Sequence, residues 1–454
     1  MSLCLKPYPQ YKDSGLPWLG KTPAHWQTRR LKYLLREINK RSTNGQEQLL
    51  RVSQYTGVTT RGSHEKDGAP DTRALSLSGY KRVASQDLVI NIMLAWNGSL
   101  GVSNFDGIVS PAYCVYRFTE NANPWFFHHL LRLPLYKGRI KGESTGVVES
   151  RLRLYTDHLF RIEALLPPVT EQLIIARFSD AFSRRIDRLI RVKQRLIKLL
   201  NEQKQAIINR AVTRGLDPDV RLKPSGVDWL GDVPARWEVS RVKREFMCLN
   251  HLRIPLSGMQ RGAMAKRMYD YYGASGVIDK VNDYIFDDDL LLIAEDGANL
   301  VLRNLPLAII ARGKFWVNNH AHILKPKGGN LEYLANLMEV VNYRPWISGA
   351  AQPKLTKDHV MSIPLVVPPV SEQRLIVDQL DNQTAPLRST IERARREIEL
   401  LREYRTRLVA DVVTGKLDVR SVELSATGAE ETEAFDEDDN IEAPEDANAI
   451  EELA

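Results

Sequence analysis

Between residues 170 and 212 the apolar side chains recur at intervals of four and three: Phe178, Phe182, Leu189, Val192, Leu196, Leu199 and Ala206, with Arg185 and Gln203 filling the interruptions. The same rhythm returns at Leu387, Ile391, Ala394, Ile398, Leu401, Leu408 and Val412, interrupted at Arg405. A repeat averaging about 3.5 residues keeps one helix face against a partner, so both stretches are expected to be long helices with coiled-coil seams. At the usual rise the first would be a rod of roughly 60 Å. A second stripe on it, Ile186, Ile190, Ile197, Leu200 and Ile207, needs a further surface to cover it. The simplest arrangement pairs the two helices antiparallel, because a whole globular segment separates them in the chain.

Both rods have readable ends. Pro168 and Pro369 close extended segments, Thr170 and Ser371 accept the first free backbone N–H groups, and Glu171 and Glu372 lie at the positive end of the helix dipole. Gly215 and Gly415 are placed for left-handed C-caps, and Pro386 is expected to kink the second helix near its start. The segments before the rods alternate differently. Residues 87–96 (DLVINIMLAW) and 289–294 (DLLLIA) are strand-like runs closed by Asn97-Gly98 and Asp296-Gly297, and residues 109–118 and 316–324 are similar. They predict compact sheet-containing globules, so the fold class is mixed α/β (α+β).

The chain repeats itself. SGLPWLGKTPAHWQTRRLK from Ser14 and SGVDWLGDVPARWEVSRVK from Ser225 match at ten of nineteen positions, Trp18 with Trp229 and Trp26 with Trp237 among them. LPPVTEQ (166–172) returns as VPPVSEQ (367–373), and Val212, Thr213, Leu216 and Asp217 return as Val413, Thr414, Leu417 and Asp418. Two tandem copies of one unit follow. Similarity fades across residues 33–150 and 244–350, which read as variable inserts in a common frame. The expected segments are a first globular domain (1–165, box at 14–32), a first helix (166–217), a second globular domain (218–366, box at 225–243), a second helix (367–420) and a tail (421–454).

Charge sharpens this layout. Residues 1–420 carry 63 basic and 43 acidic residues, a formal +20, whereas the tail holds 13 acidic residues and no Lys or Arg. The tail reads as disordered and solvating or self-screening, and the basic body points to a polyanion such as nucleic acid. With 454 residues and 43% apolar content the chain has enough for two to four cored domains, which excludes collagenous or wholly disordered classes. No apolar run reaches membrane-span length and the N-terminus lacks a signal-peptide core. Cys4, Cys114 and Cys248 stand far apart, which speaks against a disulfide framework or structural zinc site. A cytoplasmic protein is expected.

Catalytic signatures are missing: there is no GxxxxGK(S/T) loop, GxGxxG, HExxH or GxSxG. His320 and His322 share one strand face at a metal-compatible spacing, but with no cysteine nearby Asn318, Asn319, His320 and His322 suit base-edge hydrogen bonds better. Asp287, Asp288 and Asp289 with Glu295 and Asp296 resemble a nuclease's magnesium site or a solvated turn, and Glu295 alone suits cytosine N4. His128-His129, Asp157-His158 and Asp358-His359 have acid–base composition, though both Asp-His pairs precede helix starts and more simply frame turns. The DNA-contact candidates are Lys137, Arg139, Lys141, Arg151, Arg153, Arg303 and Lys354, interleaved with Trp96, Asn97 and Tyr113; Arg312, Lys314 and Trp316 lie in the same insert as Arg303. The first helix adds eight basic against two acidic residues from Arg177 to Lys198.

Two SGxxWLGxxPxxW boxes, two PPV(T/S)EQ helix starts, endings at AVTRGLD and VVTGKLD, and two divergent inserts together resemble the specificity subunits of type I restriction-modification systems over residues 11–420. The resemblance implies two target-recognition domains reading halves of a split DNA site, an antiparallel coiled coil acting as ruler, two methyltransferase subunits, and restriction/motor subunits for cleavage. It implies a non-catalytic chain within an adenine-specific DNA methyltransferase and phage-defence complex, with S-adenosylmethionine, ATP and Mg²⁺ held by the partners. The alternative reading is a free-standing nuclease built on the Asp287 to Asp296 carboxylates.

Overall fold

A computed structural model describes residues 5–61, 76–147, 152–349 and 352–422. Arg151 and nearly all of the acidic tail lie outside the described residues. Two compact units are present: Met1–Arg191 with Ile398–Ala454, and Val192–Glu397. Each of the two long helices, Val169–Arg214 (46 residues) and Val370–Val413 (44 residues), contributes to both. Pro386 sits inside the second helix, which continues past it.

In the first unit the box strand β1 (Gln27–Arg30) pairs antiparallel with β6 (Glu163–Leu166), the strand leading into the first long helix. The insert contributes β2 (Leu35–Ile38), β3 (Leu88–Asn91), β4 (Leu100–Val102) and β5 (Tyr113–Phe118), an antiparallel sheet in the order β2-β5-β3-β4. Helices α1 (Pro124–Arg132) and α2 (Pro134–Glu143) follow. The run 87–96 is thus a strand only to Asn91; a 3₁₀ turn, Ala95–Asn97, takes its end.

The second unit has the same plan. β7 (Glu238–Arg241) pairs with β12 (Pro364–Val367), and β8 (Phe246–Cys248), β9 (Leu290–Ala294), β10 (Ala308–Ala311) and β11 (Ala321–Pro326) form an antiparallel sheet ordered β8-β11-β9-β10. Strand β9 is apolar throughout because both faces are covered: Leu290 and Leu292 enter one core, Leu291 and Ile293 the other. A further sheet of Gly276–Val281, Tyr269–Gly273, Lys314–Val317 and Phe286–Asp287 borders it.

The PPV(T/S)EQ segments tie these parts together. Gln172 is fully buried; its amide nitrogen donates to the carbonyls of Pro167 (2.8 Å) and Asn121 (3.1 Å), and its oxygen accepts from Asn123 N (2.7 Å). Asn123 then caps α1 through the N–H groups of Trp125 and Phe126. Gln373 repeats this with the Pro368 carbonyl (2.9 Å) and Asn330 N (2.7 Å), and Asn330 caps the helix Leu331–Val340. Glu171 does more than face the dipole: it accepts from Tyr8 Oη (2.6 Å) and Trp26 Nε1 (3.0 Å) and meets His25 Nε2 at 2.7 Å.

Gly215 and Gly415 both adopt a left-handed φ of 78°, as expected of C-caps. Space also constrains them, most tightly at 415. A Cβ at 215 would stand 3.2 Å from Trp237, and one at 415 only 2.6 Å from Pro23 and 2.9 Å from Trp26.

The seam of the first helix departs from expectation. Phe178, Phe182, Ile186 and Ile190 are buried, whereas Leu189, Leu196 and Leu199 are 43%, 41% and 54% exposed. A strict four-three repeat would carry Arg185 into the seam, where an unpaired guanidinium is costly; the buried line passes through Ile186 instead, along the stripe that needed cover. On the second helix Ile391, Ala394, Ile398 and Leu408 are buried as expected, with Leu387 and Leu401 half-buried. Within the first unit Phe182 meets Tyr404 edge-on at 5.5 Å and Arg405, the interruption in the repeat, pairs with Asp187. Within the second unit Lys193 pairs with Glu397.

Replacing Gln172 or Gln373 by Ala orphans buried backbone groups on two elements at once, each worth about 1–3 kcal/mol. Urea denaturation should show a loss of about 3 kcal/mol, and Gln172→Glu should not restore it, since a carboxylate cannot donate to Pro167. Wild-type stability in the Ala variants would refute the staple.

Candidate nucleic-acid interface

In the first unit the ends of β3 and β4 gather several expected contact residues. Trp96 and Asn97 lie in the 3₁₀ turn, where Trp96 Nε1 donates to Met93 O at 3.0 Å. Lys137 and Lys141, one turn apart on α2, reach it: Lys141 Nζ lies 5.7 Å from the Trp96 ring centroid, and Lys137 lies against Gly98. The Leu154 N–H donates to Ile92 O at 2.9 Å, which brings Arg153 to the same end. Arg139 faces elsewhere, paired with Glu143 (2.8 Å) and near Glu163 (3.9 Å). Tyr113 is half-buried on β5, packed on the core of Leu50, Val52 and Val89, and burial raises its pKa.

In the second unit the corresponding end is a polar network. Glu295 accepts from Arg253 and lies 3.5 Å from Lys354 and 3.8 Å from His322. Arg253 also holds the carbonyls of Asn319 (3.1 Å) and Ala321 (3.0 Å). His322 is fully buried: Nε2 meets Leu355 O at 2.7 Å and must donate, so Nδ1 accepts from the Asn250 amide at 2.8 Å. Burial holds this imidazole below the ordinary histidine value. Asn318 is buried and turns its oxygen to His320 N (2.8 Å). Asn319 and His320 are exposed, with His320 Nδ1 on Asp296 at 2.8 Å.

Several expected contacts are therefore corrected. His322 and Asn318 support the turn rather than face outward. Glu295 is enclosed by cations that pull its pKa down against burial, so it is not a free acceptor for cytosine. Arg303, itself at a left-handed φ of 53°, donates to Val341 O (2.8 Å) and Glu339 O and so closes the end of the helix Leu331–Val340. The carboxylate cluster is dispersed: Asp288 pairs with Lys325, Asp289 with Arg312 at 2.5 Å, and Asp296 with His320. Among the described residues no group of three or more His, Cys, Asp or Glu is arranged to hold a metal. The acid–base candidates are engaged locally, His128 by Val102 N (3.1 Å), His129 by Asp180 (2.8 Å) and His359 by Trp346 O (2.6 Å).

Two arginines that organise these ends escaped the sequence pattern. Arg132 and Arg253 each bind several carbonyls from separate loops. Nothing in spacing marks an arginine whose partners are backbone.

Comparison with known proteins places these features. The family model described as the type I restriction modification DNA specificity domain matches residues 263–400. A putative type I restriction enzyme specificity subunit of Haemophilus influenzae is 39% identical over 117 residues, which is 25% of this chain and 30% of that protein. The putative type I restriction enzyme MjaX specificity subunit of Methanocaldococcus jannaschii is 23% identical over 89% of this chain and 96% of its own length. A chain from a structural study of complex assembly and conformational transition in the type I restriction-modification system has the same fold, with a TM-score of 0.61 at 15% identity over 87% of this chain and 99% of that one. No helix among the described residues is long and apolar enough to cross a membrane.

The buried neutral His322 gives the second unit a pH signature. The unfolded chain takes a proton near 6.5 that the native state refuses, so the stabilisation is full above that pH and is lost as pH falls below it. The loss is up to about 1.4 kcal/mol per pH unit. Urea unfolding at pH 7.5 and 5.5 should show a smaller difference for His322→Asn than for wild type; equal differences would refute the assignment. The Glu295 contribution belongs to a lower window, below its ordinary value of 4.5.

Proposed function

Because this chain belongs to the specificity subunits of type I restriction-modification systems, we propose that it reads the two halves of a split DNA site and carries no chemistry of its own. The observation that supports this best is the common plan of the two units. Each has a Trp box strand paired to the strand before a long helix, a four-stranded sheet in one order, and a first-turn glutamine joined to an asparagine cap. What differs is the surface at the sheet ends: Trp96, Asn97, Lys137 and Lys141 in one unit, Asn319, His320 and Lys354 in the other. Two tandem copies with one frame and two surfaces suit two different half-sites.

In this reading the exposed cations engage phosphates and set register, while the turns of residues 95–97 and 318–320 address base edges in the major groove. The two long helices pair antiparallel and act as the spacer. Phe182 with Tyr404 and Asp187 with Arg405 in the first unit, and Lys193 with Glu397 in the second, are the side-chain contacts between the helices that such a pairing would use. The exposed Leu189 in the first unit and Val192, Leu196 and Leu199 in the second suit helical partners. Two methyltransferase subunits, with restriction subunits for cleavage, are the partners; S-adenosylmethionine, ATP and Mg²⁺ belong to them. A base to be modified must leave the stack, so the methyltransferase supplies the pocket while this chain holds the duplex. The nuclease alternative is not retained, because Asp288 and Asp289 are committed to Lys325 and Arg312 and Asp296 is bound to the His320 ring.

Methylation mapping in cells expressing this chain with its methyltransferase partner should return a split motif; an unbroken motif would refute the two-headed reading. Exchanging residues 33–150 for another subunit's insert should change one half only. Inserting seven residues into each long helix should lengthen the gap and leave both halves intact, whereas an altered half-site would remove the spacer role.

A further inference from the structure

The turn Ala95–Asn97 rests on two cations for which the described residues supply no carboxylate. Arg132, the last residue of α1, donates through Nη1 to Leu100 O (2.6 Å) and Gly98 O (3.4 Å) and through Nη2 to Tyr55 O (2.6 Å) and Gln54 O (3.0 Å). Four carbonyls take up its four Nη hydrogens, and none of them cancels its charge. Lys137 on α2 brings its ammonium to the same glycine: a Cβ at Gly98, where φ is 97°, would lie 2.7 Å from Nζ. Among the described residues Lys137 makes no ion pair. The nearest acids of α2 and β6 are engaged elsewhere, Glu143 with Arg139 at 2.8 Å and Glu163 with Arg30 at 3.7 Å. His128, beside Gly57 as Arg132 is, is held far below its ordinary value by burial and by the neighbouring His129 and Arg132, so it stays neutral and adds no charge to the cluster. Burial lowers the pKa of Arg132, and burial together with Arg132 lowers that of Lys137.

Like charges held together over a glycine, at the edge of a loop cluster, form a seat for an anion. One turn further along α2, Lys141 over Trp96 extends the positive edge to the turn itself. We infer that Lys137 contacts one DNA backbone phosphate at the first reading head, and that Arg132 is the positioning residue that fixes the 54–57 and 96–100 loops around that contact. This rests on the DNA-reading function proposed above and deepens it: the phosphate sets the register from which Trp96 and Asn97 meet the bases. Tyr55, 69% exposed on the loop that Arg132 holds, belongs to the same reading surface.

The test uses the full chain assembled with its methyltransferase subunits and duplex DNA carrying the mapped site, with affinity followed against salt. Lys137→Gln should bind about tenfold more weakly at about 0.15 M salt, and the slope of log affinity on log salt should become shallower by about one. Lys137→Arg should keep the wild-type slope. Base preference in both half-sites should survive Lys137→Gln, because a phosphate contact carries no sequence information. Arg132→Gln, with its thermal unfolding checked, should relax preference in the half-site read by the first unit and leave the other unchanged. An unchanged salt slope in Lys137→Gln would overturn the seat, and equal relaxation of both half-sites in Arg132→Gln would overturn the positioning role. Failure of the wild-type assembly to bind duplex DNA in a salt-dependent way would instead overturn the function on which both depend.

Discussion

A primary amide in the first turn of each long helix is the constraint on which the rest depends. A helix start exposes free N–H groups and the strand before it ends on a proline carbonyl, so both need partners once they are buried. Gln172 and Gln373 answer with one side chain, donating backwards to the Pro-Pro segment and accepting from the residue that caps a neighbouring helix. Only an amide can donate and accept in this geometry. The insert's helix is thereby registered to the frame, whatever sequence the insert's loops carry.

That division between fixed frame and variable surface explains how charge is distributed. Inside the frame, acidic residues close on named partners: Glu171 on Tyr8, Trp26 and His25, and Glu372 on Arg236 at 2.7 Å. At the sheet ends the two units use different means. The second places one carboxylate, Glu295, among Arg253, Lys354 and the neutral His322 ring, so its turn carries an internal counter-charge. The first uses Arg132 on carbonyls, and among the described residues no carboxylate pairs with it. On the proposed DNA-reading function, the arrangement of the first unit suits phosphates, because the counter-charge then arrives with the ligand.

The sequence revealed the parts of the fold that depend on local chemistry or on repetition. The helix starts at 169 and 370, the glycine caps at 215 and 415 and the paired Trp boxes follow from residue type and spacing, and the structure has them there. The seam of the first helix was legible only in part: Phe178 and Phe182 lie on it, but the choice between Leu189 and Ile190 depends on which neighbour arrives, and a 3.6-residue turn permits both. At the sheet ends, exposed residues such as Asn97, Asn319 and His320 were legible as polar residues beside turns. His322, Arg303 and Glu295 were not separable from them, because burial and backbone partners are properties of the fold. Arg132 and Arg253 left no pattern at all.

The two units differ in how they are written along the chain. The second is one uninterrupted stretch, Val192–Glu397, whereas the first is Met1–Arg191 completed by residues from Ile398 onward. Gly415 packs on Pro23 and Trp26, and Lys6 forms a bridge with Asp418. During synthesis the second unit therefore has all its residues before the first has its last piece. At about 5–20 residues per second the N-terminal unit waits roughly ten to forty seconds for its closing segment, and the long loop makes that closure the slower search. Loss of the last few turns of the second helix would open the domain that was made first.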